Sequence, residues 1–437
     1  NWKTGKWELD PYYVQFTSGI NADDFPEISK EYPKQKGEDS FKQKLKDGVS
    51  TWKREGRGQT ELAEHIRKLV KKQENRRGRK DEFDNNNGPD VVKLHEELLK
   101  YWEKYEYFLQ HAYHTPGQEL KRKIDYDNMT IGGVKKLEGD ETEAKSQQDK
   151  FDHIIIDEFQ DCNWIQTRLA YLLSPKGHIT VVGDEDQSIY GFQGANGVQN
   201  FKLFENSFSS FNVKEMKLRI NYRSTKNIVK SSASMATKEM EASEKNGNGV
   251  SPKLIECETE KDEFLFIKKK ISELEEMKIG GEKPLNERFA VLFRKDKQNE
   301  IKKFKDELPS DWTNTKNPNN FNKQIKTIHK AKGSEYPVVF IAHFEEKTFP
   351  VSFQGNFQYR DSMGEYLRLP RKETPEELQA EEEKRILYVG MTRAEKQLFL
   401  THHTVNDEKK LITVSRFLSD IEVERENYEK SENEEEE

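Results

Sequence analysis

Two groups of acids stand where short apolar runs end. Residues 154–156 (III) lead into Asp157 and Glu158, and residues 179–182 (ITVV) lead through Gly183 to Asp184, with Gln187 three residues further on. Such runs read as buried parallel strands that deliver carboxylates to the carboxyl edge of a sheet, where α/β folds hold ligands. Adjacent carboxylates at a strand end suit phosphate chemistry. One can hold Mg²⁺, directly or through water, while the other orients or deprotonates an attacking water. Taken alone, an Asp-Glu pair is more often a loop with two solvated acids.

The elements that would position these groups are legible as periodicity. Residues 59–72 predict a helix with Leu62, Ile66, Leu69 and Val70 on one face, and residues 89–113 a longer one, whose aromatics read as core. Residues 262–275 and 295–308 predict further helices. Residues 289–293 (FAVLF), 338–344 and 397–402 (QLFLTH) predict buried strands. Residues 139–150 read as a polar loop, and 422–437, with nine Glu against two Lys/Arg, as a disordered acidic tail. The 437 residues suffice for two or three domains. Only 33% are apolar and 35% are charged, so the cores are modest. A net charge of −7 excludes a uniformly basic coat for nucleic acid, but residues 41–80 hold fourteen Lys/Arg against five Asp/Glu. That stretch is either a solvated helix and loop or a track for phosphates. Two cysteines without metal-ligand spacing fit a reducing compartment, with a cytoplasmic location expected, nucleoid-associated if the chain is prokaryotic. No run reaches membrane-spanning length.

The acid groups do not stand alone. DEFQD and GDEDQSIYGFQGA are followed by LRINYRS (218–224), KTIHKAKGSEYPVVF (326–340) and EEEKRILYVGMTRAEKQL (381–398). In this order the five blocks resemble motifs of the UvrD/Rep/PcrA-like superfamily 1 DNA helicases. The resemblance implies two RecA-like α/β domains of the P-loop NTPase type with parallel sheets. ATP and Mg²⁺ would sit in the cleft between them, and the activity implied is ATP-driven 3′→5′ movement on single-stranded DNA with unwinding at duplex junctions. It implies a monomer or transient oligomer, in repair or related DNA transactions, with a partner protein possible. Asp157 takes the Mg²⁺ role, Glu158 that of catalytic base and Gln187 that of γ-phosphate sensor. Tyr222 matches the adenine-stacking tyrosine, Arg223 and Arg393 the γ-phosphate arginines, and Gly333 and Glu335 the nucleotide-side positions of the KAKGSEY block. Tyr190 and Phe192 match positions that stack on bases, and Thr327 and His329 positions near the DNA backbone. Gly191 and Gln193 stand where relatives commonly carry arginine. Only residues 294–325 separate the FAVLF run from KTIHKAKG, where well-known members carry a large accessory subdomain.

The family's Gly-rich loop ending Gly-Lys-Thr/Ser is not found. The single Gly-Lys step, Gly5-Lys6, precedes Trp7 and lacks upstream glycines. Three accounts follow. The chain is an amino-terminally truncated helicase, or a second chain supplies the loop, or ATP turnover has been lost and a DNA- or protein-binding module remains. The expected organisation is a basic helical insertion over 1–113, the second half of an incomplete first RecA-like domain over 114–212, a second RecA-like domain over 213–421, and the tail.

Overall fold

The computed structural model describes residues 25–26, 40–54, 57–76, 91–111, 125–190, 197, 199–296, 299–313, 320–352, 375–406 and 408–429. The chain divides into two compact units, Asn1–Gly183 with Phe192–Asn196, and Asp184–Gly191 with Gly197–Glu437. The second unit starts just after the second acid-bearing strand.

The first unit opens with three helices, α1 (Ser40–Arg54), α2 (Gln59–Arg76) and α3 (Val91–His111). Leu45, Val49 and Trp52, Leu62 and Ile66, and Val92, Leu98, Tyr101 and Trp102 form their buried faces at helical spacing. Of the α3 aromatics, Tyr101 and Trp102 are core, Tyr105 is half-buried and Tyr107 is exposed. The basic stretch is not wholly a solvent-facing track. Lys53 is buried, with Nζ 2.6 Å from Glu106 and 2.8 Å from Asp125. The Arg54 Nε donates to Asp127 at 3.2 Å. An unpaired buried ammonium would be costly, so these acids fix where Lys53 can sit.

Helix α4 (Tyr126–Gly139) begins at Asp125, whose carboxylate accepts from the Asn128 N–H. Residues 139–150, expected as a loop, hold helix α5 (Glu141–Gln148). Asp140 closes α4 through its N–H to the Lys136 carbonyl, then caps α5 by accepting from the Glu143 N–H. No residue of α5 is buried, so it has no apolar period by which to be seen in sequence.

Strands β1 (Ile154–Ile156) and β2 (Ile179–Val181) pair in parallel, Ile154 opposite Ile179. Burial on both faces does not hold. Ile154 and Ile156 are half-buried, whereas Ile155 is 71% exposed. The alternation is that of a pair covered on one side only. After β1, α6 (Trp164–Leu173) starts with a reciprocal cap between Asn163 and Gln166.

The second unit is a six-stranded, wholly parallel sheet, flanked at its amino end by α7 (Gln199–Ser207) and a small parallel pair, β3 (Ile220–Asn221) and β4 (Glu241–Ala242). Its other elements in chain order are α8 (Lys226–Ser232), β5 (Lys253–Cys257), α9 (Glu260–Glu276), α10 (Leu285–Arg288), β6 (Phe289–Phe293), α11 (Glu300–Asp306), α12 (Ser310–Thr313), β7 (Ile325–Thr327), α13 (Ile328–Ala331), β8 (Tyr336–Ala342), α14 (Pro375–Met391), β9 (Ala394–His403) and β10 (Glu424–Asn427). The strand order is β10-β5-β9-β8-β6-β7. Every residue of β6 and β8 is buried, as continuous apolar runs require of a sheet covered on both faces. Alternate side chains feed two cores. Ala290, Leu292, Val339 and Ile341 join Ile228 of α8 and Leu387 of α14. Phe289, Val291, Phe293, Val338 and Phe340 join Phe264, Ile267 and Ile271 of α9. The expected strands and the 262–275 helix are present, and α11 is shorter than the expected 295–308. Only α11, α12 and a single 3₁₀ turn are described between β6 and β7. The expected tail is corrected by β10, which pairs in parallel with β5, Glu424 opposite Lys253. The remaining tail residues, 430–437, lie outside the described residues.

Candidate active site

In the first unit, Asp157 and Glu158 leave the carboxyl end of β1 with exposed side chains. Glu158 adopts a left-handed backbone, φ 51° and ψ 41°, a conformation that costs a non-glycine residue about 1–2 kcal/mol. Local hydrogen bonds hold it there. The Glu158 N–H donates to Asp157 Oδ1 at 2.8 Å, Gln160 Nε2 donates to Glu158 Oε2 at 2.5 Å, and the Asp161 N–H donates to the Glu158 carbonyl at 2.8 Å. The Phe159 N–H donates to the Val182 carbonyl at 2.9 Å, tying the turn to the end of β2. The strained turn turns two adjacent carboxylates outward, and strain of this kind gathers at functional sites. An exposed hard-oxygen pair fits a magnesium ion.

In the second unit, Asp184 caps a 3₁₀ turn, accepting from the Asp186 N–H at 3.1 Å and from Gln187 Nε2 at 2.8 Å, and pairs with Lys238. This fixes the Gln187 amide, so its Oε1 accepts from Arg393 Nη2 at 3.2 Å. Arg393 is 1% exposed. Its Nε donates to the Val389 carbonyl at 2.9 Å and its Nη1 to the Ser334 carbonyl at 3.1 Å. Arg223 approaches the same residues. Its Nε donates to Glu335 Oε2 at 2.6 Å and its Nη1 to the Thr392 carbonyl at 3.3 Å, while Arg393 Nη2 reaches the Thr392 hydroxyl, also at 3.3 Å. Two guanidinium groups and one amide thus converge about Thr392. Gly333 has φ +78°, the left-handed region, and so turns the chain between Lys332 and Ser334 with no side chain in the way. Tyr222 is 71% exposed, beside Arg223.

Of the residues expected near DNA, Tyr190 is half-buried and held inside this unit. Its hydroxyl donates to the His329 carbonyl at 3.0 Å, and Lys332 Nζ lies 5.0 Å from its ring centre. Burial, with Arg294 and Lys295 nearby, pushes the His329 imidazole down to about 4, so it is neutral near pH 7. Thr327 begins α13 without a side-chain capping bond. Phe192 lies outside the described residues. Sequence reasoning did not single out Lys332, whose Nζ donates to the Gln187 carbonyl at 2.7 Å, or Arg385, whose Nε donates to the Ser188 carbonyl at 3.0 Å. Both lie inside the quoted blocks, which was the available signal. Asp186, buried, accepts from the N–H and the hydroxyl of Thr237, both at 2.8 Å, and anchors the same turn.

The parallel sheets and the groups at their strand ends define a helicase-type α/β fold. Residues 15–209 match the family model for the UvrD/REP helicase N-terminal domain, and residues 216–316 and 310–405 that for the UvrD-like helicase C-terminal domain. The chain belongs to the UvrD/Rep/PcrA-like superfamily 1 DNA helicases. Over 184 residues it is 33% identical to the ATP-dependent DNA helicases PcrA of Staphylococcus aureus (strain Mu50) and Staphylococcus epidermidis (strain ATCC 12228), a match covering 41% of this chain and 24% of each relative. The matched stretch is thus less than a third of those relatives' length. A solved C-terminal domain of a possible DNA helicase from Lactobacillus overlaps 47% of this chain and 98% of that one, at 14% identity and a TM-score of 0.28, which carries no weight here.

Proposed function

We propose that the chain serves ATP-driven 3′→5′ translocation on single-stranded DNA and the unwinding of duplex junctions. The observation that carries this is the convergence of Arg223, Arg393 and the Gln187 amide about Thr392. Planar guanidinium groups stay charged and spread over several phosphate oxygens, and an amide both donates to phosphate and accepts from water. Glu335 offsets one of the two cations until a nucleotide replaces it. In this reading Arg223 and Arg393 stabilise charge on the transferred phosphoryl group and Gln187 senses it. Tyr222 stacks on adenine and Glu335 lies near the ribose. Glu158, turned outward by its left-handed backbone, accepts the proton of the attacking water. A magnesium ion held by Asp157 would neutralise the phosphate oxygens. Tyr190, Phe192, Thr327 and His329 are the proposed contacts to the strand.

The test is ATP hydrolysis by the chain completed with a segment that carries a Gly-Lys-Thr/Ser loop, with and without single-stranded DNA, beside Glu158→Gln in the same protein. Turnover stimulated by DNA and nearly abolished in Glu158→Gln, with DNA binding kept, is expected; near-normal turnover in the variant would refute the role given to Glu158. A second reading rests on the missing Gly-Lys-Thr/Ser loop: a single-strand-binding module without turnover. DNA binding with no hydrolysis in either protein would select it.

A further inference from the structure

A second cluster lies at the ends of β8 and β9, where no step of the proposed hydrolysis uses it. Glu263 of α9 is fully buried. Its Oε1 accepts from the Thr401 hydroxyl at 2.6 Å and the His343 N–H at 2.8 Å, and its Oε2 accepts from His403 Nδ1 at 2.9 Å. The His343 Nε2 points into the same space, 3.7 Å from Glu263 Oε2 and 3.6 Å from Glu260 Oε1. The Glu345 Oε1 lies 2.8 Å from His403 Nδ1, off the direction of the N–H that Glu263 receives.

Two atoms here are buried without a hydrogen-bond partner among the described residues: His343 Nε2, on a side chain 7% exposed, and Glu345 Oε1. A buried imidazole nitrogen left unbonded is costly. His343 Nε2 faces Glu263, and Glu345 Oε1 faces His403. Ligand atoms of Glu263, His343 and His403 all lie within 4.8 Å of one another. The His343 ring is fixed by stacking on Phe264, 5.6 Å between centres and 12° between planes, and by the edge of Phe293 at 5.4 Å. Lys303 Nζ, 2.9 Å from Glu260 Oε2, holds Glu260 from outside the cluster.

We propose that Glu263, His343 and His403 form a three-ligand site for a divalent transition ion of the zinc class, with water completing the tetrahedron. Two imidazoles and one carboxylate suit such an ion, and the Glu345 carboxylate beside His403 adds a second negative charge. Ligands at the usual metal distances of a tetrahedral site lie roughly 3.4 Å apart. The separations of 2.9 and 3.7 Å from Glu263 need adjustments of under an ångström. Binding replaces the Nδ1 proton of His403, which leaves to solvent, and gives His343 Nε2 the partner that it lacks. The ion would tie α9 to the ends of β8 and β9.

Cobalt(II) added to the purified, metal-stripped chain tests this. One equivalent is expected to give the intense visible ligand-field bands of a four-coordinate ion, displaced by zinc, and zinc is expected to raise the melting temperature. His343→Gln and His403→Gln, which keep polarity, should each weaken cobalt binding by at least about tenfold. Failure of the wild-type chain to give four-coordinate bands would overturn the site. So would bands of equal affinity in both variants, since the ion would then lie elsewhere. Circular dichroism of each variant shows whether it is folded, and a folded His343→Gln that still gains stability from zinc would count equally against the site.

Discussion

Replacing Glu383 should loosen the second unit through one orphaned charge. Glu383 lies on α14 and is almost wholly buried, as is Arg294, just past the end of β6. The Arg294 Nε donates to Glu383 Oε2 at 2.8 Å, its Nη2 donates to Oε1, and the Val351 N–H adds a third bond at 3.2 Å. Glu383→Ala leaves a guanidinium buried without its counter-charge, a loss of about 3–5 kcal/mol. The unbonded Val351 N–H adds on the order of 1 kcal/mol. Replacing both partners by apolar groups of similar size, Arg294→Met with Glu383→Leu, should recover most of this, because no charge is then left buried. Hydrogen exchange of the β6 and β8 amides reports opening of this unit alone. Their slowest amides should exchange about 10² to 10⁴ times faster in Glu383→Ala, at roughly tenfold per 1.4 kcal/mol. A double variant as destabilised as Glu383→Ala would refute the reasoning and point to a packing defect. The pair also sets where α14 lies, and α14 leads directly into Thr392 and Arg393, so the bond from Arg393 to Gln187 should suffer with it.

Gly249→Ala should be far worse than Gly247→Ala. Both have positive φ, but the new Cβ at 249 would stand 2.5 Å from the Thr225 side chain, whereas at 247 nothing lies within 4 Å. Left-handed strain of about 1–2 kcal/mol is common to both. Overpacking adds about 1–3 kcal/mol at 249 alone, and equal melting temperatures would contradict this. His329, lowered from 6.5 to about 4, is neutral in the folded state, so its contribution is present above pH 6.5 and lost as pH falls towards 4. That contribution is at most about 3 kcal/mol, and His329→Gln should flatten the stability profile in that window. Single-strand binding should weaken with salt at about −0.7 in log K per log salt for each neutralised phosphate; affinity flat across salt would exclude a basic track.

Much of the second unit is legible because burial on both faces leaves uninterrupted apolar runs such as FAVLF. The first unit hides more. The surface helix α5 has no apolar face to show, and Lys53 looks like one more basic residue until Glu106 and Asp125 are brought to it. The open face of β1 reads as buried, because three isoleucines look alike whichever side is covered. In the candidate site, Gln187 and Arg393 stand 206 residues apart, so no spacing rule joins them. Only the resemblance of the blocks could. The Glu263–His343–His403 cluster lacked any such block, and its members come together only through the parallel order of the sheet.

The acidic segment after Ile421 has a consequence for how the chain behaves in a crowded solution. All four residues of β10 are exposed, Glu424, Arg425 and Glu426 among them, yet the strand occupies the hydrogen-bonding edge of β5. An uncovered β5 would offer a row of free N–H and C=O groups to any passing strand, its own copies included. β10 fills that row, and its charges repel the next strand that might add to it. A chain trimmed at Val423 would keep its buried centre but lose this protection, and self-association would set in before unfolding does.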